Sequence, residues 1–223
     1  MSLPTMNGHI GSITLEAVLP VVFSAEPPSD SGIWLRTVRF ERGRFYRVEA
    51  ASGAGKSSLC SYIYGTRADY SGRLMLGDTD AAGITPSQWQ YLRRRHLAYV
   101  PQELGLFGSL TALENIELKN RLTGHTEHRQ IELWLEQLGI ADRAGWRADR
   151  LSVGQRQRVA LIRALCQPFD FLLLDEPVSH LDSANNHLVA EMVAAEARRQ
   201  GGAVISTSVG NPLALADAEI LRL

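Results

Sequence analysis

The sequence predicts an α/β fold: a mostly parallel sheet covered by helices, with an N-terminal antiparallel β portion and an inserted helical subdomain. Short apolar, β-rich runs alternate with helical patterns, the order that a helix-covered parallel sheet requires. A glycine-rich turn, Ser52-Gly53-Ala54-Gly55-Lys56-Ser57-Ser58, stands between one such run and a helical segment. Further on, residues 103–155 show helical periodicity in place of the β signal. With 223 residues, 45% of them hydrophobic, the chain can bury one substantial core, and residues 1–223 are read as a single domain.

In chain order, residues 13–18 and 33–40 read as strands of the antiparallel portion, with the loop-like Glu26-Pro27-Pro28-Ser29-Asp30-Ser31-Gly32 between them. Residues 45–50 form a strand leading into the glycine turn, and residues 56–64 the helix after it. Residues 97–100, 171–174 and 203–207 are further strands, short and apolar enough to lie centrally. Leu113 and Ile116, then Ile131, Leu135 and Leu138, fall at helical spacing among polar residues. This stretch of about fifty residues exceeds the ten or twelve that a crossover needs, which favours an inserted subdomain over ordinary crossover helices.

A net charge of −1 gives no reason to expect a broad nucleic-acid-binding surface. Cys60 and Cys166 are too few for a disulfide framework and lack metal-ligand spacing, so reduced thiols of a cytosolic protein are expected. Met1-Ser2-Leu3-Pro4-Thr5-Met6-Asn7-Gly8 lacks the charged and then apolar order of a secretory leader. No run approaches the roughly 18 apolar residues of a membrane span. Any membrane role is therefore expected to act through a partner.

The glycine turn has the strand-turn-helix context of a phosphate-binding loop. Ser52, Gly53, Ala54 and Gly55 would offer backbone N–H groups to phosphate oxygens, and the helix N-terminus through Ser58 adds partial positive charge. Lys56 would neutralise the β and γ phosphates, and Ser57 would ligate magnesium, which favours oxygen ligands. Ala50 stands where the usual spacing has glycine; it would cost of order 1 kcal/mol only if its backbone were left-handed. Downstream, the apolar Phe171-Leu172-Leu173-Leu174 stops at Asp175-Glu176, which places both carboxylates at a strand's C-terminal end. There Asp175 would hold magnesium through water, and Glu176 could orient and deprotonate an attacking water. Ahead of this pair, Leu151-Ser152-Val153-Gly154-Gln155 forms a polar glycine turn that opens a helix.

These motifs, in this order, resemble the nucleotide-binding subunit of an ABC transporter, a P-loop NTPase, over nearly the whole chain. The resemblance implies ATP and Mg2+ as bound species, and ATP hydrolysis as the activity. It implies that Ser152, Gly154 and the helix from Gln155 grip the γ-phosphate of ATP held by an opposite subunit, so a homodimer or paired ABC subunit is expected. Gln102, in Tyr99-Val100-Pro101-Gln102-Glu103, matches the family glutamine that contacts magnesium and the lytic water. Ser179-His180-Leu181-Asp182 looks like the loop that crosses the dimer interface. The family stacks adenine on an aromatic residue ahead of the phosphate loop; Phe23 is the best match and Trp34 the alternative. Leu110-Thr111-Ala112-Leu113-Glu114-Asn115-Ile116 is similar to the branch serving lipoprotein-release, macrolide-efflux and cell-division permeases. Chromosome-maintenance ATPases share these motifs but insert a very long coiled coil, and no such repeat is present.

Departures from the family pattern bear on the rate. Ser208 stands where the family usually has a histidine that contacts the γ-phosphate, and serine cannot become cationic. Val153 replaces a glycine, which would be poorly tolerated at a positive φ. His180 lies in the crossing loop, while His9, His96, His125, His128 and His187 are expected to be surface or incidental residues. No histidine is expected within hydrogen-bond reach of the γ-phosphate. Two readings follow. One is a cytoplasmic ATPase, slowed by Ser208 and peripheral on the inner membrane face, which drives separately encoded integral permease subunits. The other is a soluble ATP-dependent regulatory or adaptor dimer with slow or no turnover.

Overall fold

The structure is a computed structural model and describes residues 8–223; residues 1–7, on which the expected absence of a leader rests, lie outside the described residues. The elements follow in the order β1 (Ser12–Pro20), β2 (Thr37–Glu41), β3 (Phe45–Glu49), α1 (Lys56–Ile63), β4 (Tyr70–Leu76), β5 (Thr79–Asp80), α2 (Pro86–Arg95) and β6 (Leu97–Val100). After them come α3 (Ala112–Asn120), α4 (His128–Gln137), α5 (Val153–Leu165), β7 (Phe171–Asp175), α6 (Ser183–Gln200), β8 (Ala203–Ser208) and β9 (Glu219–Arg222).

One sheet is antiparallel, in the order β2-β1-β4-β5. Its register sets Ile13 between Phe40 and Leu76, so one apolar face is buried across three strands. A bulge shifts the β1–β4 register between Glu16 and Leu19. There Ala17 is left-handed, and Gly72 opposes it so closely that a Cβ would lie 2.3 Å from the Ala17 carbonyl oxygen.

The second sheet has the order β6-β7-β8-β3-β9, and every pairing in it is parallel. β7 and β8 are buried along their whole length because helices cover both faces. Leu172, Leu174 and Val204 pack with Val159 and Ile162 of α5 and Val189 and Val193 of α6. Phe171, Leu173 and Ile205 join Leu59 and Ile63 of α1 on the other side. Between β6 and α5, Ile116, Ile131 and Leu135 of α3 and α4 turn inward to the same cluster as α5. Among the described residues, no helix is long and apolar enough to cross a membrane.

The strand expected over residues 33–40 begins only at Thr37. The Ser31 hydroxyl accepts the backbone N–H groups of Ile33 at 3.1 Å and Trp34 at 2.8 Å, so residues 33–36 make a turn instead of a ladder. The strand expected over 45–50 stops at Glu49. Neither His9 nor His96 is incidental: both rings bond the buried carboxylate of Asp170, at 2.7 Å and 2.6 Å, and His96 is itself buried. Asp170 is also bonded by Arg42 Nε at 2.8 Å and by the Ile10 N–H at 2.7 Å. Cys60 and Cys166 are free buried thiols.

Candidate nucleotide site

Parallel register brings the chemistry-bearing residues to one edge of the second sheet. Glu49 pairs with Ser208, Asp175 with Thr207 and Val100 with Leu174, so the phosphate loop, the acidic pair and Ser208 all leave strands at their C-terminal ends. The Ala50 N–H donates to the Ser208 carbonyl at 3.3 Å, fixing the start of the loop against β8.

Within the loop, Gly53 (φ 81°) and Gly55 (φ 97°) take conformations that favour glycine. Gly55 is the N-cap of α1 and supplies no side-chain acceptor, so the first N–H groups of the helix are not capped from within the chain. Ser52, Gly53 and Ser57 are exposed. The Ser58 hydroxyl is buried and accepts a 2.9 Å bond from Arg67, so this residue is left with its backbone N–H to offer a ligand. Lys56 is 5% exposed; its Nζ donates to the Ala51 carbonyl at 2.9 Å and lies 3.6 Å from Glu176 Oε1. Ala50 is not left-handed, so the missing glycine causes no backbone strain.

Trp34 supports this loop from inside the core. Its indole N–H donates to the Ala54 carbonyl at 3.0 Å, and the ring is 1% exposed, which rules it out as a stacking platform. Phe23 remains half-buried, and both rings lie so close to Gly55 that a Cβ there would meet them at 3.0 and 3.1 Å. Trp34 thus has a role that its sequence context did not announce.

Asp175 is buried, with Oδ1 accepting from Thr207 Oγ1 at 2.7 Å and Oδ2 without a hydrogen-bond partner among the described residues. An orphaned carboxylate oxygen beside an uncapped helix start and the exposed Ser57 fits a hydrated magnesium ion bound with phosphates. Glu176 sits in the left-handed region (φ 51°), a conformation that costs roughly 1–2 kcal/mol in a non-glycine residue. Its N–H is held by the Thr207 carbonyl at 3.2 Å. Ser208 is 3% exposed, and among the described residues its hydroxyl also has no hydrogen-bond partner.

The signature turn lies elsewhere. Ser152 caps α5 in a reciprocal box: its hydroxyl accepts the Gln155 N–H at 3.2 Å, and Gln155 Oε1 accepts the Ser152 N–H at 2.9 Å. Val153 is the first residue of α5, is not left-handed and is 39% exposed, so the anticipated intolerance does not arise. Gly154 packs closely on residues 180–181; a Cβ there would meet Leu181 Cδ2 at 3.2 Å. Gln157 donates to Ser179 Oγ at 3.1 Å, and the Ser179 hydroxyl engages His180 Nδ1 at 3.0 Å. Among the described residues, no hydrogen bond joins Ser152, Gly154 or Gln155 to the phosphate loop.

Gln102 is exposed and shares a cavity of about 280 Å³ with Val153 and Arg156, so it is drawn toward the signature turn. Its loop continues through Leu104 and Gly105, both left-handed. Arg163 of α5 holds their carbonyls, that of Gly105 at 2.7 Å. Nothing in the motifs marks Arg163; the signal available was one cation within the apolar run Val159-Ala160-Leu161-Ile162-Arg163-Ala164-Leu165.

The model of the ABC transporter family matches residues 37–179. YtrE of Bacillus subtilis, an ABC transporter ATP-binding protein, is 32% identical over 163 residues, 72% of this chain and 71% of that protein. LolD of Novosphingobium aromaticivorans, a lipoprotein-releasing system ATP-binding protein, is 34% identical over 195 residues, 85% of this chain and 87% of its own length. The longer macrolide export protein MacB of Bradyrhizobium diazoefficiens matches at 33% identity, with 26% of its length covered. A dimeric bacterial ABC transporter cassette has the same fold, with a TM-score of 0.72 and 24% identity, covering 88% of this chain and 87% of that one. The cassette in a post-hydrolysis state with ADP and phosphate matches at a TM-score of 0.70 and 25% identity. The chain belongs to the ABC transporter family, as an ATP-binding cassette of the ABC ATPase type.

Proposed function

We propose that this cassette is the motor subunit of an ABC transporter: it binds MgATP, closes with a second cassette around the nucleotide, and passes that closure to separately encoded membrane subunits. The observation that carries this reading is the separation of the Ser152–Gly154 turn from the phosphate loop. A serine hydroxyl, a close-approaching glycine amide and a helix N-terminus make an anion site. In one copy this anion site has no hydrogen bond to the loop that would hold ATP. Two copies facing each other would complete it.

Lys56 would leave the Ala51 carbonyl and Glu176 to neutralise the β and γ phosphates as the N–H groups of Gly53 to Ser58 close around them. Ser57 and Asp175, with Gln102, would hold magnesium, which supplies charge neutralisation on the phosphate oxygens. Glu176 would orient the attacking water and take its proton; its fixed backbone aims the carboxylate without reorganisation. Ser208 would offer a single hydroxyl hydrogen bond where histidine is usual, which makes slow turnover the expectation. Phe23 would flank the adenine.

The surface beside Gln102 supports docking of a membrane subunit. A groove of about 490 Å³ runs between the sheet edge and α3, walled by Tyr64, Tyr99, Pro101, Phe107, Leu118 and Leu122. Phe107, Leu118 and Leu122 are 59%, 43% and 48% exposed, an apolar patch of the kind that marks interaction sites. The helical portion 103–155 would rotate with its occupant. On this reading the chain would sit on the inner face of a membrane through its partner.

Single-turnover hydrolysis tests the reading. Glu176→Gln should slow the chemical step by about 10²- to 10⁴-fold while ATP binding persists. Equal rates would instead support a regulatory dimer, the second reading that Ser208 motivates.

A further inference from the structure

The two ends of the candidate nucleotide site are joined by a side chain that belongs to none of the motifs. Arg67 follows α1, and its Nη1 donates to the Ser58 hydroxyl at 2.9 Å, in the first turn of that helix. Its Nε donates to Asp69 Oδ1 at 2.9 Å and its Nη2 to Asp69 Oδ2, so one planar fork spans the start of α1 and the approach to β4. The guanidinium lies 5.4 Å from the Tyr62 ring centroid, which steadies its plane. Asp69 passes the connection on. Tyr62 Oη and the Val21 N–H both donate to its carbonyl, each at 3.0 Å. The Val21 bond carries the β1–β4 ladder one step past Pro20 and Tyr70 and opens the short turn Val21–Phe23. Phe23 then returns to the phosphate loop, where a Cβ on Gly55 would meet its ring at 3.1 Å.

Resting on the reading that Phe23 flanks the adenine, we infer that Arg67 is a positioning residue for the nucleotide: it fixes the spacing between the Phe23 platform and the first turn of α1. The Arg67 and Asp69 side chains are 41% and 47% exposed, and a pair so exposed contributes little to stability. What the fork supplies is preorganisation. Without it, residue 69 and the turn it anchors are free to shift against α1, and ordering them on binding costs affinity. A ligand that fills only the phosphate end gains nothing from the spacing, whereas ATP must reach both ends at once.

Titration calorimetry of the full chain with ATP and with inorganic tripolyphosphate, each with magnesium, separates the two ends. Arg67→Ala should weaken ATP about tenfold, within the range that one base stack supplies, and leave tripolyphosphate within about twofold. Retained tripolyphosphate binding also shows that the variant is folded. Phe23→Ala should weaken ATP by a similar factor, and the double variant should lose no more than Phe23→Ala alone, since both changes remove the same contact. Equal weakening of both ligands by Arg67→Ala would mean that Arg67 acts by its charge on the phosphates. Additive losses, or an unchanged ATP affinity, would mean that it does not place Phe23. Each of these results overturns the inference while the reading of Phe23 stands. If Phe23→Ala itself leaves ATP unchanged, that reading falls and takes the inference with it.

Discussion

Ala50 and Ser208 touch at the mouth of the site, yet they differ in what they imply. Because Ala50 is not left-handed, restoring the glycine of the usual pattern would only enlarge the unfolded ensemble. Ala50→Gly should therefore destabilise the chain by about 0.4–1 kcal/mol in urea unfolding, with no gain in ATP affinity. Ser208 presents a buried hydroxyl with no hydrogen-bond partner among the described residues. Ser208→Ala should leave thermal stability almost unchanged, since no partner is stranded, but slow single-turnover hydrolysis by about 10²-fold. The positions of Lys56 at the start of a helix and of Asp175 and Glu176 at the end of a strand were legible in the sequence, because the strand-turn-helix spacing and the abrupt end of an apolar run announce them. The orphaned oxygens of Asp175 and Ser208, and the left-handed backbone of Glu176, were not, since these arise from neighbours far along the chain.

At the scale of elements, α5 joins functions that the sequence lists separately. Its first turn carries the Ser152 cap, its middle bonds Ser179 through Gln157, and its last turn holds the Gln102 loop through Arg163. Ser152→Ala removes the cap and should destabilise the chain by about 1 kcal/mol, a fall of about 2–4 °C in Tm measured without ATP. A separate loss of ATP-driven dimerisation in sedimentation would mark its second role. The strands over residues 171–174 and 203–207 were readable because strands buried on both faces are continuously apolar. Residues 33–36 misled because Ile33 and Trp34 are buried as in a strand, while the Ser31 hydroxyl turns their backbone. β4 gave no clear signal, since Gly72 and Arg73 interrupt its apolar pattern and only the bulge opposite Ala17 explains the glycine.

For the whole molecule, Asp170 ties together segments far apart in the chain: His9 and Ile10, Arg42, and His96. Arg42 extends the tie to the end of α6 through the Gln200 carbonyl at 2.8 Å. Burial alone would raise the Asp170 carboxyl, but the donors from His96, Ile10 and His9 outweigh it and hold it below the usual range. Its stabilisation is complete above the unfolded carboxyl value, near pH 4, and is lost as pH falls through the lower folded value. Asp170→Asn should cost about 3 kcal/mol at pH 7 and progressively less in more acid solution, as read by denaturant unfolding across that range.

The α/β class, the glycine turn that opens α1, the carboxylates at the end of β7 and the polar turn that opens α5 were all readable from the residues alone, because each depends on local spacing, and periodicity and turn chemistry are local physics. Strand register and helix packing set which of these residues stand side by side. They set Ser208 beside the start of the glycine turn, made Trp34 a support beneath that turn, and drew Gln102 toward the first turn of α5. Such placements follow from strand register and helix packing, which bring together residues that nothing in their sequence separation relates.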